Sequence, residues 1–354
     1  MDRRDFFRTG MGVALAGSVA GLSTSTMAAE TKAVATTGNE TLKFSVFADI
    51  HHNPASFYTR TPEHLIQIQQ RALKEKSDLI IHAGDFCHNP TKIKDFIELY
   101  NNFSIPSYHC LGNHDQDGCP WEETLELYKM SNGHYSFDKK GFRFIVFDPC
   151  YLYLDGKYVH YTKGNYYKHP EALNHVPPEE VEWMKETMTN SPFPCILISH
   201  QSLEREASGI KNRMQIRKII NDINKRFPGR VRLCINGHYH RDFISILDNV
   251  IYFDLNSASF DWLGNHVCKG LFPEELCKKH RFLDSTLVYN DPIHAVITMR
   301  QDGYIKIDGM ESTMFMGVDR SKLKKISLYD GAGRPTTPKV SSAELKMIYG
   351  PVKN

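Results

Sequence analysis

The chain has 354 residues, of which 41% are hydrophobic, and its 43 lysines and arginines nearly balance its 41 aspartates and glutamates. The formal net charge of +2 excludes a strong overall field that would collect a nucleic acid polymer or an anionic membrane. After the N-terminal segment, no apolar run is long enough for a transmembrane helix. The eight cysteines show no C-x-x-C and no zinc-finger spacing, which excludes those thiolate metal sites.

The N-terminus carries the pattern of an export signal. Asp2-Arg3-Arg4-Asp5-Phe6-Phe7-Arg8 precedes a mildly apolar stretch, and Ala28-Ala29 supply small residues for cleavage. This resembles a twin-arginine signal, so we expect residues 1–29 to be a signal peptide read by the twin-arginine export machinery. The mature protein would be periplasmic or otherwise exported, with no stable membrane anchor after signal removal. The alternative is an ordinary basic helix, which the Gly and Ser content disfavours.

Strand-like and helix-like segments alternate through the first half of the chain, and hairpins follow in the second half. The apolar runs predict strands over 42–48, 79–83, 105–111, 135–137, 142–147, 195–198, 231–235, 243–247, 250–254, 295–299 and 304–307. Caps and apolar spacing predict helices beginning near 61, 95, 121, 178 and 213. This order favours two facing mixed β-sheets flanked by helices.

Composition divides the chain into four parts. After the signal we expect a polar linker over 30–40, one α/β domain over 41–309, and a loosely packed C-terminal tail over 310–354. Two irregular insertions, about 151–175 and 257–290, interrupt the domain, and long loops are often functional. The tyrosines between 151 and 167 either stack on a substrate ring or pack on their own loop, and the second reading is favoured. Cys268 and Cys277 flank a short loop and are the best candidates for a disulfide.

Five short polar blocks end apolar runs and carry oxygen and nitrogen donors suited to divalent metals. They are Asp49-Ile50-His51, Gly84-Asp85, Gly112-Asn113-His114-Asp115, Ser199-His200 and Gly237-His238-Tyr239-His240. Residues just past the carboxyl ends of strands converge on one crevice in α/β proteins. The blocks therefore predict a two-metal hydrolytic centre.

In order, the blocks match the pattern D-x-H, G-D, G-N-H-[D/E], H, G-H-x-H, so the chain resembles the calcineurin-like metallophosphoesterase family over roughly 44–240. The resemblance implies a four-layer αββα sandwich and two divalent metal ions. Asp85 would bridge the ions. The implied ligands are Asp49, His51 and His240 for the first site and Asn113, His200 and His238 for the second.

Two adjacent cations acidify a water molecule and neutralise phosphoryl oxygens, so the resemblance implies hydrolysis by a metal-bound hydroxide. In similar enzymes the histidine that corresponds to His114 contacts the substrate phosphate and protonates the leaving oxygen. The resemblance implies the same role for His114, and the carboxylate of Asp115 would orient it. A purely structural His114 is the alternative. His52, Asn53 and His88 border the blocks and would either contact a phosphate or support the ligands.

The donor set suits Mn or Fe best, with Zn or Co as alternatives. Purple acid phosphatases carry an iron-ligating tyrosine where this chain has His88, and the G-D-x-V-D-R-G motif of Ser/Thr protein phosphatases is missing after Gly84. The group that remains most similar contains class III cyclic-nucleotide phosphodiesterases and related bacterial phosphohydrolases.

We therefore expect an exported phosphoesterase acting on a small phosphorylated substrate, with a phosphodiester such as a cyclic nucleotide as the leading candidate. A phosphomonoesterase or nucleotidase is the alternative within enzymes. From another class, the chain would be a metal-stabilised protein that binds a phosphorylated ligand without turnover.

Overall fold

Two six-stranded β-sheets face each other and carry helices on their outer sides. The computed structural model describes residues 40–264, 266–318 and 337–350. In chain order the elements are β1 Thr41–Phe47, α1 Thr61–Lys74, β2 Leu79–Ala83, α2 Lys94–Asn101, β3 Ser107–Cys110, α3 Trp121–Leu127, β4 Tyr135–Lys139, β5 Phe142–Val146, β6 Tyr151–Leu154, β7 Lys157–His160, α4 Pro178–Thr189, β8 Cys195–Ile198, α5 Arg213–Arg226, β9 Val231–Asn236, β10 Phe243–Leu247, β11 Val250–Asp254, β12 Phe260–Trp262, α6 Glu274–Lys279, β13 Thr286–Val288, β14 Ala295–Arg300, β15 Tyr304–Asp308, β16 Met310–Glu311, β17 Lys339–Val340 and β18 Ala343–Lys346.

The first sheet has the strand order β18-β15-β14-β1-β2-β3, and the second has the order β10-β11-β9-β8-β5-β4. Both sheets are mixed. In the first, β1, β2 and β3 run parallel, whereas β14, β15 and β18 pair antiparallel. In the second, β5, β8, β9 and β11 run parallel, with β4 and β10 antiparallel at the edges. Three two-stranded pairs, β6-β7, β12-β13 and β16-β17, lie outside these sheets.

Alternation along the strands assigns each side chain to a layer. In β1, Phe44 and Val46 face the second sheet, and the Phe44 ring meets Phe144 of β5 edge-on at 5.2 Å. Phe47, at the end of the same strand, packs with the helices on the opposite face. In β5, Ile145 points in the same way to the outer helices of the second sheet. Three apolar layers therefore separate four layers of secondary structure.

Helix α1 shows why the outer layers form. Pro62 lies in the first turn, where its missing N–H costs no hydrogen bond. The negative charge of Glu63, in the same turn, interacts favourably with the positive end of the helix dipole. Leu65, Ile68 and Ala72 recur at helical spacing and are completely buried against the first sheet. Helices α4 and α5 cover the second sheet in the same way. The predicted αββα sandwich is thus confirmed, together with the predicted hairpins β4-β5 and β14-β15.

The prediction of a loosely packed tail from residue 310 is wrong for its described part. Strand β18 pairs antiparallel with β15 and extends the first sheet, while β17 pairs with β16. Val340 is buried, and Leu345 packs against the core between the sheets. The physical reason is that β15 would otherwise expose a row of unpaired backbone groups at the sheet edge. The Lys- and Ser-rich composition concealed this short alternating strand, and the domain continues to residue 350.

The expected disulfide is also wrong. All eight cysteines, including Cys268 and Cys277, are free thiols, and seven of them are buried. The predicted signal peptide and linker, residues 1–29 and 30–40, lie outside the described residues except for residue 40. Within the part of the chain that the structure describes, no helix combines the length and the apolar composition needed to cross a bilayer.

Candidate metal centre

The seven predicted ligands lie past the carboxyl ends of parallel strands in both sheets. Asp49 and His51 follow β1, Asp85 follows β2, Asn113 follows β3, His200 follows β8, and His238 and His240 follow β9. Because β1, β2 and β3 are parallel, and β8 and β9 are parallel, the ends of each set meet at one edge. The structure thus brings together residues up to 191 positions apart (240 − 49) in the sequence.

Backbone strain is concentrated in these loops. Five of the seven predicted ligands have positive φ angles: Asp49 at 55°, His51 at 50°, Asp85 at 52°, His238 at 73° and His240 at 52°. For residues with a Cβ this left-handed conformation costs on the order of 1 kcal/mol or more each, and it clusters at functional sites. The chain turns sharply after each strand, and these turns aim the side chains into one crevice.

Two glycines permit the close approach of neighbouring loops. A Cβ at Gly84 would overlap the ring of His200, and a Cβ at Gly237 would overlap the carboxylate of Asp49. Gly84 also has a φ of 90°, which glycine adopts without strain. Glycine is therefore needed at both positions, because it lets a ligand from another loop pack directly over the backbone.

Asp49, His51 and His240 direct their ligand atoms to one point. His51 Nε2 lies 3.0 Å from His240 Nε2, and Asp49 Oδ1 lies 3.3 Å from His240 Nε2 and 3.6 Å from His51 Nε2. Ligands about 2.1 Å from one ion, at roughly 90–110° to each other, are themselves about 3.0–3.4 Å apart. These three residues can therefore hold one cation.

Asp85, His200 and His238 form a second group beside the first. His200 Nε2 lies 3.0 Å from Asp85 Oδ2 and 3.2 Å from His238 Nδ1. The same Asp85 oxygen is 3.8 Å from His51 Nε2 of the first group. Asp85 thus lies between the two groups, where its carboxylate can bridge two ions.

Asn113 is the one predicted ligand that is not acidic or basic. Its side chain is buried, and its Nδ2 donates to the Tyr166 hydroxyl at 3.3 Å. Its Oδ1 is buried without a hydrogen-bond partner among the described residues. A buried carbonyl oxygen without a partner is costly, and a cation would satisfy it.

The charges of the centre also suit cations. Asp49 and Asp85 are almost completely buried, and in the described ranges their ion pairs are to histidines rather than to lysine or arginine. Burial raises the pKa of Asp85, but His200 and His114 outweigh burial and hold that pKa well below its usual range. Two ionised, buried carboxylates without a lysine or arginine need positive charge from another source.

Two of the ligand histidines, His51 and His238, are in the state that ligation requires, and His200 differs in an informative way. Burial lowers the pKa values of His51 and His238 to about 3, so both rings are neutral at pH 7. Burial also lowers the pKa of His200, but Asp85 and Asp49 outweigh it and raise that pKa to about 9. The proton that His200 attracts lies where a cation would bind. The donor geometry, the charge of the centre and the unpartnered Asn113 oxygen therefore all fit a pair of divalent ions.

His114 lies at the edge of this centre and is held by a carboxylate that the sequence reasoning missed. Its backbone N–H donates to Asp85 Oδ1 at 2.8 Å, and its Nδ1 lies 2.8 Å from Asp117 Oδ2. Asp117 also accepts from the Tyr166 and Tyr167 hydroxyls, at 2.6 and 3.2 Å. Residues 114–116 form a 3₁₀ turn, in which positions i and i+3 lie on the same side. That spacing is the signal by which Asp117 could have been found.

The role predicted for Asp115 needs correction. Its carboxylate accepts from the backbone N–H groups of Cys87 and Gly112, at 3.0 and 2.8 Å, and from the Tyr128 hydroxyl at 2.6 Å. The side chain is completely buried, and its hydrogen bonds are to these three groups rather than to the His114 ring. Asp115 therefore ties the loops after β2 and β3 together, and Asp117 takes the orienting position.

His88 is the bordering residue that supports a ligand. Its Nε2 lies 3.0 Å from Nδ1 of His51, and its Nδ1 lies 3.1 Å from Asp117 Oδ2. Asp117 thus connects the first metal group, through His88, to His114. His52, by contrast, contacts Thr61 and stacks on Phe96, so it packs helix α1 and helix α2 against the loop after β1.

A cavity of about 790 Å³ opens over the centre, within the range of small-molecule sites. The predicted tyrosine-rich insertion contributes one side of it. Tyr161 and Tyr166 are buried in a small core of that insertion, as the packing interpretation expected. Tyr167 instead is 61% exposed and lines the cavity, 3.2 Å from His114 Nδ1 through its hydroxyl.

The chain is similar to one known family and, in its fold, to solved structures. A family model described as calcineurin-like phosphoesterase matches residues 42–242. The fold is similar to a dimetal phosphatase from Danio rerio, with 12% identity, a TM-score of 0.56, and coverage of 77% of this chain and 98% of that chain. It is also similar to a purple acid phosphatase from yellow lupin, with 14% identity, a TM-score of 0.44, and coverage of 78% and 52%.

No curated protein matches the chain in a sequence comparison. The family model spans 201 of the 354 residues (242 − 42 + 1) and includes all five polar blocks. This family depends on two metal ions and acts on phosphoric esters. The chain therefore belongs to the calcineurin-like phosphoesterase family.

Proposed function

We propose that the chain is an exported phosphoesterase that uses two divalent ions to hydrolyse a P–O bond in a small phosphorylated molecule. The observation that supports this most directly is that the two groups of predicted ligands meet at Asp85, with His114 held beside them by Asp117. When bound, the ions would polarise the phosphoryl oxygens and acidify a water molecule. Mn or Fe is the preferred metal on the basis of the imidazole, carboxylate and amide donors.

The protein groups would divide the remaining work. His51, His240 and Asp49 would hold one ion, and His200, His238 and Asn113 the other, with Asp85 between them. His114 would donate a proton from Nε2 to the departing ester oxygen, because its Nδ1 faces Asp117 at 2.8 Å. Burial lowers the pKa of His114, but Asp85 and Asp117 outweigh burial and raise it to about 9. Because Asp117 is not a predicted metal ligand, it favours the protonated ring when the ions are bound as well.

A phosphodiester, such as a cyclic nucleotide, is our leading substrate class, and a phosphomonoester is the alternative. Purified protein, stripped of metal and reloaded with Mn, would be assayed on bis-p-nitrophenyl phosphate and on p-nitrophenyl phosphate. A higher kcat/KM on the first supports the diesterase, and a higher value on the second supports the monoesterase. Absence of turnover of both esters with Mn, Fe, Co and Zn would instead support a binding protein that lacks catalysis.

Export is a separate part of the proposal and rests on the twin-arginine pattern at Arg3 and Arg4. We expect Arg3→Lys with Arg4→Lys to retain an unprocessed precursor in the cytoplasm, because the pathway requires both arginines. Immunoblots of cell fractions would measure this. Normal secretion of the double variant would contradict the export proposal without affecting the proposed chemistry.

A further inference from the structure

One side of the cavity over the metal centre is built from four aromatic rings, which we call the aromatic wall: Phe57, Phe260, Trp262 and Phe282. The rings of Phe57 and Phe260 stack with centroids 4.8 Å apart and planes 14° apart. Phe282 lies 5.1 Å from Phe57, and Trp262 meets Phe282 edge-on at 5.4 Å. The four rings therefore form one continuous apolar surface.

The aromatic wall begins at the metal centre and ends at the solvent. The ring of Phe260 is 5.1 Å from that of His51 and 5.5 Å from that of His240. Phe260 and Phe57 are 1% and 5% exposed, whereas Trp262 is 44% exposed. A molecule with its phosphorus at the metal centre would thus have an apolar surface along its path to the outside.

The wall also lies beside the predicted proton donor. Phe57 is 5.2 Å from His88, and His88 is 4.3 Å from His114, measured between ring centroids. The group that leaves phosphorus must depart next to His114 if that residue protonates it. The leaving group would therefore depart on the side of the cavity where the inner end of the aromatic wall lies, with His88 between His114 and Phe57.

The wall is preformed by the fold. Trp262 and Phe260 lie on β12, which pairs with β13 through the registers Phe260–Val288 and Trp262–Thr286. The backbone N–H of Phe282 donates to the carbonyl of Ser56 at 3.0 Å, which ties the insertion over 257–290 to the loop that carries Phe57. A ligand that stacks on these rings need not order them first, and such preorganisation favours binding.

We propose that the aromatic wall binds the leaving group of the substrate and selects phosphate esters whose alcohol part carries a planar aromatic ring over esters of small aliphatic alcohols. The inference rests on the proposed phosphoesterase function, because it requires phosphorus at the metal centre. In the reaction, a bond forms between a water oxygen and phosphorus, and the bond from phosphorus to the ester oxygen breaks. That oxygen takes a proton, and the aromatic alcohol departs along the wall.

Binding of two non-hydrolysable phosphonates tests the selection. With the Mn-loaded protein, calorimetry would give the Kd of 2-naphthylmethylphosphonate and of propylphosphonate. We expect the naphthyl compound to bind about ten-fold more tightly, since stacking of one ring pair contributes on the order of one power of ten. Trp262→Ala should remove most of this preference and leave the Kd of propylphosphonate unchanged.

Tyr153→Ala is the matched control, because Tyr153 is 45% exposed, stacks on Tyr158 and lies outside the cavity. Tyr153→Ala should keep the full preference for the naphthyl compound. If Trp262→Ala does not fold, Phe282→Leu is measured in its place and should reduce that preference. An unchanged naphthyl-to-propyl ratio in a folded wall variant would overturn the proposal. Failure of the wild-type protein to hydrolyse either nitrophenyl ester would overturn the phosphoesterase function instead, so the two failures are distinguishable.

Discussion

Replacement of Asp117 by asparagine should slow turnover most for esters with poor leaving groups. Asp117 accepts from both hydroxyls of Tyr166 and Tyr167 and lies 2.8 Å from Nδ1 of His114. An amide cannot balance a charged imidazole, and its NH₂ group can turn toward the ring nitrogen. The variant would therefore lose both the orientation and the protonation of His114 while the seven metal ligands remain in place.

The size of the effect follows from the charges beside the ring. Asp85 and Asp117 overcome the effect of burial and raise the pKa of His114 from 6.5 to about 9, which corresponds to roughly 3 kcal/mol in favour of the protonated ring. If Asp117 supplies about half of this, its loss lowers the population of the acid about two- to three-fold at pH 8. Misorientation adds to this, and general acid catalysis contributes about 10²–10⁴ in rate. We expect kcat to fall by roughly 10² on a poor leaving group.

The assay compares phenyl phosphate, whose leaving group needs a proton, with p-nitrophenyl phosphate, whose leaving group needs it much less. Asp117→Asn should lower kcat on phenyl phosphate at least ten-fold more than on the nitrophenyl ester, with metal content unchanged. Asp155→Asn, in the exposed turn between β6 and β7, is the matched control and should behave as wild type. Equal losses on both esters, or loss of metal from Asp117→Asn, would refute the orienting role.

Three further outcomes are expected. Asp85→Asn should abolish activity and lower metal content because it removes the bridging carboxylate. His114→Ala should lower activity and keep the metal content. Equal metal loss in the two variants, measured by elemental analysis, would contradict this. Burial raises the pKa of Asp117, but its hydrogen bonds to His114 and His88 outweigh burial and hold the pKa below the unfolded value of about 3.9. The ionised Asp117 therefore stabilises the folded protein above pH 4, and this stabilisation is lost as the pH falls further. Urea unfolding should show Asp117→Asn less stable by roughly 1.5–3 kcal/mol at pH 7, with a difference that is smaller at pH 3 and smaller again at pH 2. Deletion of residues 337–354 should lower Tm by at least about 5 °C in calorimetry, because it uncovers β15, and an unchanged Tm would show that β18 adds nothing.

The central architecture could be predicted because its signals are local. Strands β1, β2, β8 and β9 are apolar runs that end in the polar blocks, and helix α1 has its first-turn proline and an apolar face. Both hairpins follow from a short polar turn between apolar runs. In each case the residues that define an element lie within a few positions of each other, so burial and turn chemistry act on a continuous segment.

The shorter elements could not be predicted in this way. Strands β6, β7, β12, β13 and β18 have three or four residues of weak alternation, and each is held by a partner strand or core rather than by its own composition. The lysines around β18 are typical of a solvated tail. The sequence does not show that β15 has a free edge with which β18 can pair. A segment of this kind has no stable structure of its own, so its conformation depends on what the rest of the fold leaves unpaired.

The donor types, their order along the chain and their positions after buried strands can be read directly from the residues, and they suffice for the family and for a pair of cations. That Asp117 rather than Asp115 faces His114, and that rings from positions 57 and 260–282 form one wall of the cavity, is visible only in three dimensions. Ligand identity depends on side-chain chemistry, whereas orientation depends on turns and packing between distant segments, which no local pattern encodes.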